Sequence, residues 1–105
     1  MLTPSEVAQY HETGQVTSAF RLDLDVISVV EEKMEALFAK RPDFAKLDLA
    51  DSLVEIDRSW IEFGKIPEIL DSVEQLLGEN LIVWAMECFR KKGERSKAVP
   101  WHQDG

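Results

Sequence analysis

The chain predicts an α+β fold with its helices first and its strands last. Three observations carry this: apolar residues at three- and four-residue spacing over 26–38, a second such stripe over 69–77, and a switch to branched and aromatic residues over 81–91. With 105 residues, 45% hydrophobic and 30% charged, the chain has enough apolar material for one small domain with one core. We expect a single unit, mainly helical over 1–80 and extended over 81–105.

The elements follow in order. Thr3-Pro4-Ser5-Glu6 is a helix start, with Thr3 capping a backbone N–H, Pro4 at the first helical position and Glu6 closing a capping box. Gly14 ends that helix, and its narrow apolar face, Val7 and Tyr10, implies packing onto something larger. Residues 15–22 read as a short extended segment. Over 26–40 an amphipathic helix runs from a cap at Asp25 to a stop at Pro42, with Met34 and Phe38 on its core face. Residues 43–58 mix periods and define no single element. A helical turn over 59–63 ends at Gly64; Ile66-Pro67 then opens a helix with Ile69, Leu70, Val73, Leu76 and Leu77 on one face and Gly78 as its left-handed cap.

Residues 81–91 read as a strand, with Ile82, Trp84, Met86, Cys88 and Arg90 on one face and Leu81, Val83, Ala85, Glu87 and Phe89 on the other. Both faces are mostly apolar, so the strand needs cover on both sides. Lys92-Gly93-Glu94 is a turn, and 98–104 a second extended segment.

A net charge of −8 argues against a nucleic-acid binder, whose affinity for phosphates comes from concentrated Lys and Arg. Arg90, Lys91, Lys92, Arg95 and Lys97 nevertheless cluster around Glu94; this is a solvated loop or, alternatively, an attractor for an anionic substrate. The sequence has no apolar run of membrane-spanning length and no secretory leader pattern, which points to a cytoplasmic protein. The single cysteine, Cys88, sits in an apolar stretch and reads as a small buried hydrophobe.

In an extended segment His102 and Asp104 point to the same side, so one imidazole and one carboxylate reach a single metal, while Trp101 and Gln103 point away. With one further histidine they compose the facial triad of non-haem Fe(II) oxygenases, which leaves positions open for co-substrate and oxygen. Alone, His-X-Asp is a weak signal, and a surface or hydrogen-bonded pair is the bland alternative.

Three segments supply context. The run from Leu2-Thr3-Pro4-Ser5-Glu6 to Gly14, the run from Ile66-Pro67-Glu68-Ile69-Leu70 to Gly78, and the closing Val99-Pro100-Trp101-His102-Gln103-Asp104-Gly105 resemble the phytanoyl-CoA dioxygenase family in order and spacing. The resemblance implies helices that buttress the first strands of a double-stranded β-helix (jelly roll), truncated before barrel closure. It implies Fe(II) bound by His102, Asp104 and a distal histidine, and 2-oxoglutarate as co-substrate for hydroxylation of an unactivated C–H bond. Retention of Asp104 favours hydroxylation over halogenation, since related halogenases carry a small residue there. Met86 is the nearest match to a residue that contacts 2-oxoglutarate in some relatives, although core packing explains it equally well. His11, on the first helix, does not match the third ligand and reads as an exposed helical residue.

The chain ends just after Asp104, so the distal histidine and the arginine that clasps 2-oxoglutarate are missing, and we expect a fragment inactive by itself. An uncovered strand over 81–91 further leads us to expect a homo-oligomer through the exposed strand edge. Two alternatives stand beside this reading. One is a non-catalytic interaction or assembly module using the apolar face of 26–38 and the strand over 81–89. The other is a zinc site formed by His102 and Asp104 from two copies.

Overall fold

The computed structural model describes residues 1–96 and 98–103. Its helices are α1 (Pro4–Thr13), α2 (Leu24–Lys40), α3 (Pro42–Leu47), α4 (Leu53–Ile56), α5 (Ile61–Gly64) and α6 (Pro67–Leu77), with 3₁₀ turns at Arg58–Trp60 and Gly93–Arg95. Strands β1 (Leu49–Ala50) and β2 (Cys88–Phe89) form an antiparallel pair, Leu49 opposite Phe89 and Ala50 opposite Cys88. The architecture is helix-rich α+β with a small two-stranded sheet, and the described residues form no jelly roll.

Local sequence sets the start of α1 as expected. Thr3 Oγ1 accepts the Glu6 N–H at 3.3 Å and Glu6 Oε2 accepts the Thr3 N–H at 2.7 Å, closing the capping box. Gly14, at φ 77°, donates its N–H to the Tyr10 carbonyl at 2.8 Å, a left-handed stop that glycine adopts without Cβ strain. The larger partner of α1 is α6. The Gln75 amide accepts the Leu2 N–H at 2.7 Å and donates to the Leu2 carbonyl at 3.0 Å, holding Leu2 with only 5% exposed.

Helix α2 begins earlier than the sequence suggested. Its cap is Asp23, which accepts the Asp25 N–H at 3.0 Å, because an aspartate caps whichever donor lies two residues on. Pro42 does end α2, and then occupies the first turn of α3. Residues 15–22 make no sheet hydrogen bonds to the described residues, yet Val16, Ser18, Phe20 and Leu22 are half-buried while their neighbours are exposed, an extended alternation with no partner strand among the described residues. Gly78 also differs from expectation. Its φ is 87° but its ψ is 175°, so the chain leaves α6 extended instead of closing a left-handed cap, and only one N–H, to the Glu74 carbonyl at 2.7 Å, is satisfied there.

The core lies where the sequence was hardest to read. Phe38 of α2 meets Phe44, Ala50, Leu53 and Trp60, all buried, and Val30, Met34 and Leu37 pack against them. Much of the apolar face of 26–38 is therefore packed within the molecule, while Ile27 and Val29 stay exposed.

Only part of 81–91 behaves as a strand. Met86, Cys88 and Arg90 turn inward while Glu87 and Phe89 face out, the period-two alternation expected. The Met86 carbonyl accepts from Leu53 N–H at 3.1 Å and the Arg90 N–H donates to the Asp48 carbonyl at 2.9 Å, so this stretch runs along 48–53. Upstream of Met86 no partner strand is present among the described residues, and apolar composition without a partner makes no sheet: Ile82 and Trp84 are 86% and 92% exposed.

Candidate functional site

Arg90 fixes the base from which the site hangs. Its side chain, 11% exposed, donates from Nε and Nη2 to Asp48 Oδ1 at 3.0 and 2.9 Å and from Nη1 to Glu35 Oε1 at 3.3 Å, while its guanidinium lies 4.0 Å from the Phe38 ring centroid. This takes Arg90 out of the basic run read as a solvated loop or, alternatively, an anion attractor, because its charge is paired and stacked inside the fold. Lys91 and Lys92 remain exposed beside it, and Lys97 lies outside the described residues.

The metal motif follows on a segment that returns to this base. Ala98, Val99 and Pro100 border a shallow hollow of about 250 Å³ together with Leu47, Asp48, Phe89 and Arg90. Beyond it His102 is exposed, and its Nδ1 lies 2.8 Å from the Pro100 carbonyl oxygen. Asp104, the second proposed ligand, lies outside the described residues, so its position relative to His102 is not part of the geometry here. Among the described residues no group of three His, Cys, Asp or Glu side chains gathers at one point. The donor chemistry itself fits a hard divalent metal in part: one imidazole and one carboxylate two residues apart are two ligands of the three a facial triad needs.

Met86 is half-buried, packed on the core cluster beside Cys88, and its backbone is engaged by Leu53. It also borders an apolar groove of about 520 Å³ between α6 and the 81–86 stretch, whose walls include Ile69, Leu70, Val73 and Leu77. Burial pushes the Cys88 thiol up from its ordinary value, which suits a packed hydrophobe and not a nucleophile. His11 sits on the exposed side of α1 with its ring edge-on to Tyr10, centroids 5.6 Å apart.

Sequence reasoning named His102 but missed two groups that set its surroundings. The Pro100 carbonyl is a backbone atom, which residue identity does not advertise. Arg90 looked like one more cation in a basic run, and only its spacing of two from Cys88 hinted that it turns inward. No helix among the described residues is long and apolar enough to cross a membrane. No family model, curated protein or solved structure matches this chain.

Proposed function

We propose that these 105 residues form the helical buttress and the first half of the iron site of an Fe(II)/2-oxoglutarate-dependent dioxygenase, a hydroxylase of the phytanoyl-CoA dioxygenase type. The observation that carries the reading is the Val99-Pro100-Trp101-His102-Gln103-Asp104-Gly105 motif, set behind two helical segments in the order and spacing of that family. The exposed face of 81–86 agrees with it, since the strands of a jelly roll would cover that face.

In this reading iron and 2-oxoglutarate, when bound, supply the oxidising power for C–H hydroxylation. This chain's own residues hold and orient. His102 and Asp104 donate two ligands, the 98–100 segment carries them from the Arg90–Asp48 base, and Met86 walls the interior near the co-substrate. The third ligand and the arginine for the far carboxylate would have to be supplied from outside these residues, because the only other histidine, His11, is on α1. The 105-residue chain is accordingly inactive alone, and in isolation it covers its open strand edge with a second copy. It works in the cytoplasm on a small-molecule substrate.

Anaerobic titration with Fe(II) and 2-oxoglutarate tests the reading. A chain extended through a downstream histidine and arginine should develop a charge-transfer absorption band that the 105-residue chain lacks. Absence of the band in the extended chain, or unchanged turnover in its His102→Ala variant, sinks the assignment.

One observation favours a second reading, a metal-independent assembly module: the apolar groove along α6 is open to solvent. Full partner binding by a His102→Ala, Asp104→Ala chain stripped of metal would support it. Stoichiometric zinc per dimer would instead favour a shared site between copies.

A further inference from the structure

We infer that the outer edge of β2, continued back through 81–85, pairs antiparallel with the same edge of a second copy, about a twofold axis at Val83. The ladder on the inner side fixes which edge this is. Cys88 stands opposite Ala50, the Arg90 N–H donates to the Asp48 carbonyl at 2.9 Å and the Met86 carbonyl accepts the Leu53 N–H at 3.1 Å, so even-numbered residues aim their backbone groups towards β1. Extended continuation of the strand aims those of Val83, Ala85 and Glu87 at the opposite edge. Among the described residues none of these three N–H groups has a backbone acceptor, and nothing pairs with β2 on that side.

Charge, side-chain pairing and area make the occupant a second copy. Leu81 to Met86 carries no charge in a chain of net charge −8, so two copies approach here without like-charge repulsion. A twofold at Val83 sets Ile82 opposite Trp84 of the second copy, and Trp84 opposite its Ile82, in the non-hydrogen-bonded pairs where side chains come closest. These are the side chains left 86% and 92% exposed. Further out the same register opposes Glu79 to Glu87, which confines the ladder to 81–85. Each copy uses its outer edge once, so the pairing closes at two. The surface suffices: the chain exposes 8664 Å², a folded monomer of 12.0 kDa about 6,000 Å², and a specific interface takes about 800 Å² from each partner. The pairing gives residues and register to the second-copy contact proposed above, on which it rests, and is independent of the iron site.

Amide hydrogen exchange of the 105-residue chain, at a concentration where light scattering gives two chains, tests the pairing without any substitution. The Val83 and Ala85 amides should exchange about tenfold or more slowly than those of Ile82 and Trp84, and should lose that protection on dilution to the monomer. Cross-linking then tests the register. Under mild oxidation an equimolar mixture of Ile82→Cys and Trp84→Cys chains should form a disulfide-linked dimer of one chain of each, above the background set by Cys88 in the parent. Either variant alone should stay largely unlinked, because equal positions lie a diagonal pair apart, roughly 7–8 Å, beyond the reach of a disulfide. A dimer with equally fast exchange across 82–85, a mixture that does not cross-link, or single variants that cross-link as strongly as the mixture overturns this pairing and leaves second-copy cover standing. A monomer at every concentration overturns both.

Discussion

Arg90 reaches three groups at once: the Asp48 carboxylate, the Glu35 carboxylate and the face of Phe38. Two N–H donors converging on Asp48 Oδ1 and a flat cation on an aromatic ring are geometries that only guanidinium supplies. Replacing Arg90 with Met keeps the stem but leaves Asp48 partly buried without its cation, and we expect a loss of about 2–3 kcal/mol in urea unfolding, tempered because Glu35 is exposed. Arg90→Lys should recover less than half, since an ammonium cannot fork. Ser52 offers the opposite sign. It sits at φ 53° with no side-chain cap to justify a left-handed backbone. Ser52→Gly should therefore raise stability by roughly 0.5–1 kcal/mol, and a loss of that size would show that Ser52 makes a contact that offsets the strain.

Helix α2 is latched to the turn before α5 by one polar cluster. Lys33 Nζ donates to Asp57 Oδ2 and to Ser59 Oγ, both at 2.8 Å, while sitting 5.0 Å from the Trp60 ring centroid. Asp57 also accepts the Ser59 N–H and hydroxyl at 2.9 and 2.7 Å. The Lys33 bond, first, and the Ser59 bonds hold the Asp57 carboxyl well below its ordinary 3.8. A depressed folded-state pKa stabilises above the unfolded value and loses that contribution as pH falls. The stability difference between the parent and Asp57→Asn should thus be fully present at neutral pH and shrink steadily below about pH 4; a constant difference down to strong acid would mean the latch is not electrostatic. The α1–α6 clamp is a second inter-element joint. Gln75→Ala removes both bonds to the Leu2 backbone, and should cost about 1–2 kcal/mol. It should speed amide exchange in α1 more than in α2, since α1 has few other attachments; equal acceleration everywhere would count against the clamp.

These joints also mark what the sequence could express. The Thr3–Glu6 box and the stripes of α2 and α6 are local, repeat over more than two turns, and were legible. The centre of the core was not, because Phe44, Ala50, Leu53 and Trp60 sit on four elements of two to six residues, too short for any period to develop. The turns between them use Asp48 and Ser52 in left-handed conformations, so no glycine marks the breaks. In the candidate site, alternation correctly turned Met86, Cys88 and Arg90 inward, but composition alone could not say that the preceding residues lack a partner strand. His102 was visible as a motif; its hydrogen bond to the Pro100 backbone was not.

At the scale of the whole molecule the surface is too large for the mass. A folded monomer of 12.0 kDa exposes about 6,000 Å², whereas this one exposes 8664 Å². Its radius of gyration is 15.8 Å, against about 13 Å for a compact chain of 105 residues. Much of the difference is apolar: Ile82, Trp84 and Trp101 are 86%, 92% and 104% exposed, and Leu77 at the groove edge is 65% exposed. The excess exceeds the roughly 1,600 Å² buried in total by an ordinary specific interface, so one contact between two copies is well within what the surface can supply. We predict that light scattering at micromolar concentration gives a mass of at least two chains. Ile82→Lys with Trp84→Glu should lower that mass towards one chain while leaving the chain folded by its backbone resonance dispersion, because neither side chain is buried in the monomer. If the parent chain scatters as a monomer with sharp, dispersed backbone resonances, the apolar face is tolerated in water and the need for cover disappears. If the double variant unfolds instead of dissociating, these residues support the monomer core and their exposure has been misread. If the proposed dioxygenase reading holds, a chain carrying further strands should bury Ile82 and Trp84 on its own, visible as a blue shift and reduced quenching of tryptophan fluorescence, and should be monomeric without any substitution.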